Sequence, residues 1–327
     1  MRRIIINCFG DSVTEGMALD GHHTAEYGKK PFPAQLYTIL KDEGYDIEVV
    51  NCGHGGEDIS AVAARSGGVG CYVAEELTVP AGQWVSLGKR RRENGRNYDT
   101  ALRLYEADDA GEDYCVYFTQ MSHDTNPVYI DGIPYDMKVD DETNHIRRQD
   151  GQAGVIPQGA EVFTANDRNA DVNIFYAGIN DGKSLTLRRF IDRMKDCAAV
   201  NGGKYIVLGA THALWNNWSD TAGEDAYRHY RRACYEAFGV HFIDLYDEFA
   251  RHGLDMALEK GFFADLSEQR IGQMRELLLQ HIIPAEFSYN KEKQGDVHLS
   301  EEGYYVIARL LTERMKRLGY LERRADS

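Results

Sequence analysis

The sequence predicts an α/β protein built on an open, doubly wound parallel sheet, with a small β-rich module inserted into it. Three observations carry this expectation. Five short apolar runs end in turn residues and alternate with helical apolar patterns, as expected of parallel strands buried on both faces. Between about residues 67 and 170 that rhythm breaks, and short β-like runs replace the helices. With 327 residues, 43% of them hydrophobic and 27% charged, the chain has the composition of an ordinary globular protein. It is long enough for one large domain plus an added module.

Ile4–Phe9 is the first buried run. Residues 33–44 carry Ala34, Leu36, Tyr37, Ile39 and Leu40 at helical spacing, with Gly44 as the expected C-cap. Ile47–Val50 is the second strand and runs into Asn51-Cys52-Gly53-His54-Gly55-Gly56. Val172–Ala177 is the third, followed by a helix over about 185–200. Tyr205–Ala210 is the fourth, followed by a helix over about 226–238, and Val240–Ile243 is the fifth. Helical patterns return at about 267–282 and 300–318. Ser300 is the expected N-cap of the last, and Glu301 and Glu302 in its first turn suit the positive end of the helix dipole. Sheets of this kind bind ligands where loops leave the carboxyl ends of the strands.

The stretch that breaks the rhythm is rich in Gly, Asp, Asn and aromatic residues. Its β-like runs are Leu77–Val79, Trp84–Leu87, Cys115–Phe118, Pro127–Ile130 and Val162–Thr164, with turn signals at Asn94-Gly95 and Asp131-Gly132. A structureless loop of about 100 residues is foreign to compact domains. The expected division is therefore a main domain of residues 1–66 and 171–327 and a β-rich module of residues 67–170. No internal repeat or low-complexity tract is visible.

The net charge of -15, from 37 basic and 52 acidic residues, disfavours nucleic acid and anionic membranes, which both need a basic surface. Soluble substrates or neutral carbohydrate surfaces fit better, and the charge leaves the oligomeric state open. The apolar run near Met1 is too short for a signal peptide, and no stretch approaches the roughly 18 apolar residues of a membrane span. The six cysteines (Cys8, Cys52, Cys71, Cys115, Cys197, Cys234) form no CxxC pair. They read as buried free thiols and point to a cytoplasmic location.

Four segments, each just past a strand or just before the last helix, carry residues suited to chemistry. In Gly10-Asp11-Ser12-Val13-Thr14-Glu15-Gly16 a serine at a strand's carboxyl end can present its hydroxyl at the sheet rim. The alternative is an ordinary N-cap and turn. In Asn51-Cys52-Gly53-His54-Gly55-Gly56-Glu57-Asp58 the glycines let backbone approach a ligand, although glycine-rich turns are common after strands. In Tyr176-Ala177-Gly178-Ile179-Asn180-Asp181 an asparagine amide can donate to a developing oxyanion, or simply cap a helix. In Gly295-Asp296-Val297-His298-Leu299-Ser300 a histidine stands between a carboxylate and a helix start, the setting of a general base oriented by an acid.

Together the four segments resemble the SGNH hydrolases, or GDSL esterases. That family carries, in this order, Gly-Asp-Ser near the N-terminus, a block-II glycine, Gly-x-Asn-Asp, and Asp-x-x-His near the C-terminus. The match in order and distribution spans the chain outside the β-rich stretch. The resemblance implies a flavodoxin-like three-layer α/β/α sandwich with a five-stranded parallel sheet. It implies that residues 1–66 and 171–327 form the catalytic domain, with Ser12 as nucleophile and His298 as base. The Ser12 and Gly56 backbone N–H groups and the Asn180 amide would form the oxyanion hole. The implied reaction is hydrolysis of an ester, with a short acyl group and O-acetyl on a carbohydrate as the expected substrate, through an acyl-enzyme and without metal or cofactor. One departure stands out. The family's acid lies three residues before the histidine, where this chain has Gly295. Asp296 is only two before, so either it reaches the imidazole from a reshaped loop or a Ser–His dyad works with a backbone carbonyl.

Two other readings use the same residues. Ala177 to Ser184 fits a loose P-loop pattern, with alanine at the first glycine and Val240–Asp244 as a Walker B strand. Asp181 would then put a carboxylate beside a phosphate nest, and Ser12, Gly56 and His298 would have no role. The second is a catalytically silent carbohydrate-binding protein on the same fold. Trp84, Tyr98, Tyr117, Phe118, Tyr129 and Tyr135 offer faces that stack on sugars, against a simpler role as the module's core. Asp11, His22, His23 and Trp215 are candidates for the pocket lining, with His22 and His23 a poor metal pair. Lys89-Arg90-Arg91-Arg92 reads as a solvated turn.

Overall fold

Strand β1 (Ile4–Gly10) turns through Asp11 into the short helix α1 (Ser12–Glu15), and the chain continues as α2 (Phe32–Asp42), β2 (Ile47–Gly53) and α3 (Ile59–Ser66). Eleven strands follow with no helix between them among the described residues. They are β3 (Cys71–Val73), β4 (Leu77–Val79), β5 (Val85–Glu93), β6 (Arg96–Thr100), β7 (Leu102–Ala107), β8 (Asp113–Cys115), β9 (Val128–Ile130), β10 (Ile133–Asp140), β11 (Thr143–Arg148), β12 (Gly154–Ile156) and β13 (Glu161–Phe163). Alternation resumes with β14 (Val172–Tyr176), α4 (Leu187–Ala199), β15 (Tyr205–Leu208), α5 (Ala226–Phe238) and β16 (Phe242–Ile243). Helix α6 (Leu245–Glu248), a π-turn over Phe249–Gly253, α7 (Leu254–Glu259), α8 (Glu268–Leu279) and α9 (Glu301–Arg317) complete the fold. The structure, a computed structural model, describes residues 3–16, 31–93, 96–107, 113–119, 126–164, 170–181, 185–211, 226–292 and 296–321, with backbone alone at 89–93, 96–100, 106–107, 113–114 and 201.

The protein is a mixed α/β molecule with a five-stranded, all-parallel sheet in the order β16-β15-β14-β1-β2. Successive side chains of a strand point to opposite faces, and the two faces meet different helices. Phe9, Cys52, Phe175, Val207 and Phe242 pack with α3, α4 and α5. Ile6, Cys8, Ile174, Ile206 and Ile243 pack with α2, α9 and the helices of the 245–279 stretch. Burial on both faces is why these strands read as unbroken apolar runs. Each fully buried aliphatic side chain contributes roughly 1.5–3 kcal/mol relative to exposure.

The first four of these strands and the helices expected around them lie within a few residues of their predicted bounds. The fifth is shorter, Phe242–Ile243, because Gly239–His241 winds into a 3-10 turn. Helix α2 ends at Asp42 and is capped by Glu43, and Gly44 follows with φ +85°. Ser300 caps α9 as expected, accepting from the Gly303 N–H.

Nine of the eleven intervening strands form a second sheet in the order β6-β5-β11-β10-β9-β13-β3-β7-β8, antiparallel throughout, and β4 pairs separately with β12. The Asp131-Gly132 turn joins β9 to β10 with both residues at positive φ (49° and 77°), which is the hairpin chemistry its sequence signalled. Tyr117, Phe118 and Tyr135 are buried in this sheet's core, whereas Tyr129 is partly exposed. Trp84 is half-buried between the cations of Lys138 and Arg147. Residues 89–92 are not a turn, because they run within β5, paired in part to β6. The expected run Cys115–Phe118 is a strand only up to Cys115. This sheet's apolar face merges with the cluster around α3 and α4. At the seam Gly68 lies so close to Cys197 that a side chain there would collide with it.

No disulfide joins any of the six cysteines; five of them are buried and Cys115 is half-buried. Burial pushes the Cys71 and Cys197 thiols up to about 12. Among the described residues no helix is long and apolar enough to cross a membrane.

Candidate active site

The central strands set the geometry. Gly10 pairs with Gly53 on one side and with Tyr176 on the other, so β14, β1 and β2 reach their carboxyl ends on the same rung. Three of the four sequence segments leave from that rung. It also lies at the switch point of the sheet, where strand order reverses, the place where open α/β sheets bind ligands. Close approach explains two of the glycines. A Cβ on Gly10 would collide with the Thr14 hydroxyl and the Tyr176 carbonyl, and one on Gly53 would collide with the backbone of α1.

Ser12 is the first residue of α1 and is 7% exposed, its backbone fixed by the turn that starts the helix. Asp11 caps that turn, its Oδ1 accepting from the Val13 N–H at 2.9 Å. Asp11 was expected to line the pocket, yet it is fully buried beneath the nucleophile segment, where its cap duty holds it. Burial, with the carboxylates of Asp181, Glu57 and Glu15 adding to it and the Val13 N–H opposing, pushes the Asp11 carboxyl up to about 8.

His298 comes from the far end of the chain. Its Nε2 stands 3.0 Å from the Ser12 Oγ. The loop that carries it is pinned on both sides, by the Tyr289 N–H donating to the His298 carbonyl (2.9 Å) and the Ser300 N–H donating to the Phe287 carbonyl (2.8 Å). Leu299 is fully buried between them, and Arg270 holds Glu286 with two hydrogen bonds (2.6 and 2.9 Å) just below. Asp296 lies half-buried in the same loop, two residues before the imidazole. Burial, and with it the carboxyl groups of Asp11, Glu15 and Asp296, keeps the nearby Tyr304 phenol protonated.

The glycine loop after β2 is held by groups that sequence reasoning quoted without giving them a role. Glu15, at the end of α1, accepts the Gly55 N–H on Oε2 at 2.7 Å. Asn51 ties the loop to α1 through its side chain, donating to the Glu15 carbonyl (3.2 Å) and accepting from the Gly53 N–H (3.0 Å). Gly56 takes φ +83°, the left-handed region that suits glycine. Glu57 is buried against Arg65, whose Nε donates to Oε2 at 2.7 Å, and the His54 ring lies 3.4 Å from its other oxygen.

Asn180, half-buried past β14, turns its amide towards this loop, and Nδ2 donates to the Glu57 carbonyl at 2.9 Å. Asp181 beside it accepts the Ile59 N–H at 2.9 Å and so fixes the start of α3. The glycine, asparagine and serine segments are thereby joined into one frame, and His298 closes it. His22, His23, Trp215, Gly295 and the Gly182–Ser184 end of the P-loop pattern lie outside the described residues. Among the described residues no three His, Cys, Asp or Glu side chains converge as a metal-ligand set.

The roles of Glu15, Glu57 and Arg65 had no sequence signal, since their partners lie 40 and 8 residues away in irregular register. The arrangement brings a hydroxyl within proton-transfer distance of an imidazole, and ties the asparagine amide to the glycine loop. No family model matches the chain, and no curated protein matches it either.

Proposed function

We propose that this chain is a serine ester hydrolase of the SGNH/GDSL type, on a three-layer α/β/α sandwich with the antiparallel sheet as an inserted module. The observation that carries the reading is the 3.0 Å approach of the His298 Nε2 to the Ser12 Oγ. With the ring proton on Nδ1, Nε2 takes the hydroxyl proton as Oγ attacks an ester carbonyl. Asp296, in the same loop, is the group we assign to orient the imidazole and stabilise its cation. The Ser12 and Gly56 N–H groups and the Asn180 amide receive the oxyanion. His298 then returns its proton to the leaving alcohol, and water repeats the sequence to free the acid.

The net charge of -15 accords with a neutral ester rather than a phosphorylated or nucleic substrate. A short acyl group on a carbohydrate is the substrate class we assign, by analogy with the family. The test is labelling with a fluorophosphonate probe together with turnover of acylated sugars and nitrophenyl esters. Wild type labels and turns over, and Ser12→Ala does neither. Equal turnover by the two proteins would end the reading.

A further inference from the structure

A residue outside the parallel sheet holds the peptide between Gly55 and Gly56. In a trans peptide the carbonyl and the following N–H point opposite ways. Whatever holds the Gly55 carbonyl therefore aims the Gly56 N–H. That carbonyl accepts a hydrogen bond from the Thr119 Oγ1 at 2.7 Å. Between two glycines the peptide plane meets little steric resistance to rotation, so hydrogen bonds decide its orientation. Glu15 holds the preceding peptide, accepting the Gly55 N–H at 2.7 Å. Thr119, from 64 residues along the chain, holds the Gly55–Gly56 peptide itself through its carbonyl.

Thr119 is itself on a rigid mount. Phe118 before it is buried at 1% exposure and is held on both polar backbone groups by the Asn144 side chain on β11. The Phe118 N–H donates to Asn144 Oδ1 at 3.2 Å, and Asn144 Nδ2 donates to the Phe118 carbonyl at 2.7 Å. Asn144 is fully buried. The antiparallel sheet thus carries a fixed hydroxyl onto the glycine loop.

We propose that Thr119 is a positioning residue that locks the Gly55–Gly56 peptide with the Gly56 N–H aimed at the oxyanion. The antiparallel sheet thereby completes the site built on the parallel one. This rests on the hydrolase reading for its chemistry, though the peptide restraint itself does not.

The experiment compares wild type, Thr119→Val, which keeps the shape and removes the donor, and Thr119→Ser, which keeps the hydroxyl. Steady-state kinetics on nitrophenyl acetate are run beside amide NMR of glycine-labelled protein. Thr119→Val lowers kcat about 10- to 100-fold, a partial loss of one oxyanion donor, with KM within about twofold. Thr119→Ser restores most of the rate. The Gly56 amide resonance shifts or broadens in Thr119→Val and stays in place in Thr119→Ser. Unchanged kcat in Thr119→Val, or a loss that Thr119→Ser does not rescue, overturns the positioning role and leaves the hydrolase reading standing. If wild type neither turns over esters nor reacts with the fluorophosphonate, the hydrolase reading falls. The Gly56 resonance then decides the restraint alone: movement in Thr119→Val supports it, and an unmoved resonance overturns it.

Discussion

The side-chain amide of Asn180 donates to the backbone carbonyl of Glu57 at 2.9 Å, linking the loop after β14 to the loop after β2. The contact employs one amide hydrogen and fixes the plane of the group, and so fixes where the second hydrogen points. Asn180→Ala removes that donor and lowers kcat by about 100- to 1000-fold with little change in KM, since the interaction strengthens only as the oxyanion forms. Steady-state kinetics on a nitrophenyl ester check it. A loss seen only in KM would assign Asn180 to ground-state binding.

Ser12 and His298 act as a unit if the hydroxyl is activated by the ring 3.0 Å away. Either Ser12→Ala or His298→Ala lowers kcat by about 10,000-fold or more, and the double variant falls no further than the worse single. Additive losses in a double-mutant cycle would mean that the two side chains contribute separately.

How much of this was legible in the sequence follows from what each feature depends on. Strands β1, β2, β14 and β15 were readable because burial on both faces forces near-continuous apolar runs such as Ile4–Phe9. Ser12 and His298 were readable because each stands in a short local pattern at an element's end. The antiparallel strands were harder. Lys89–Arg92 reads as a turn by charge alone, yet strand pairing places it in β5. The supports of the site were hidden for a different reason. Thr119 meets Gly55, and Glu15 meets Gly55, only once strands far apart in sequence have been laid side by side. No periodicity records such a meeting.

Asp296 is the group we propose to orient His298, one residue nearer to the histidine than in the SGNH pattern that the sequence resembles. Asp296→Ala is expected to lower kcat by about 1000- to 10,000-fold, the cost of losing a carboxylate that holds the right tautomer and stabilises the imidazolium. KM should change little. A loss below about tenfold would instead favour a Ser–His dyad served by a backbone carbonyl.

Glu57 and Arg65 form a buried ion pair at the back of the glycine loop, both about 1% exposed. Truncating one partner strands the other charge, which costs about 3–5 kcal/mol. Glu57→Ala is therefore expected to shift the urea midpoint strongly downward. The Glu57 carbonyl that receives Asn180 belongs to the backbone and survives the change, so residual folded protein should keep measurable turnover. Denaturation curves with activity measured per folded molecule separate the two effects. An unshifted midpoint would show that the pair contributes nothing to stability.

Asp11 gives a pH signature. Its carboxyl rises from an ordinary 3.8 to about 8 in the folded protein, through burial first and then the nearby Asp181, Glu57 and Glu15. Below 3.8 the folded and unfolded chains both carry the neutral acid. Between 3.8 and about 8 the unfolded chain has released a proton that the folded chain retains, so raising the pH through this window favours unfolding. Above about 8 both forms are ionised and the slope from this group vanishes. Asp11→Asn keeps an oxygen to accept the Val13 N–H but cannot ionise. Its stability relative to wild type should therefore rise steadily from about pH 4 to about pH 8 and then level off. Urea unfolding of both proteins at several pH values measures the difference. A difference that is constant across the range would mean that Asp11 ionises in the folded protein as it does in the unfolded chain.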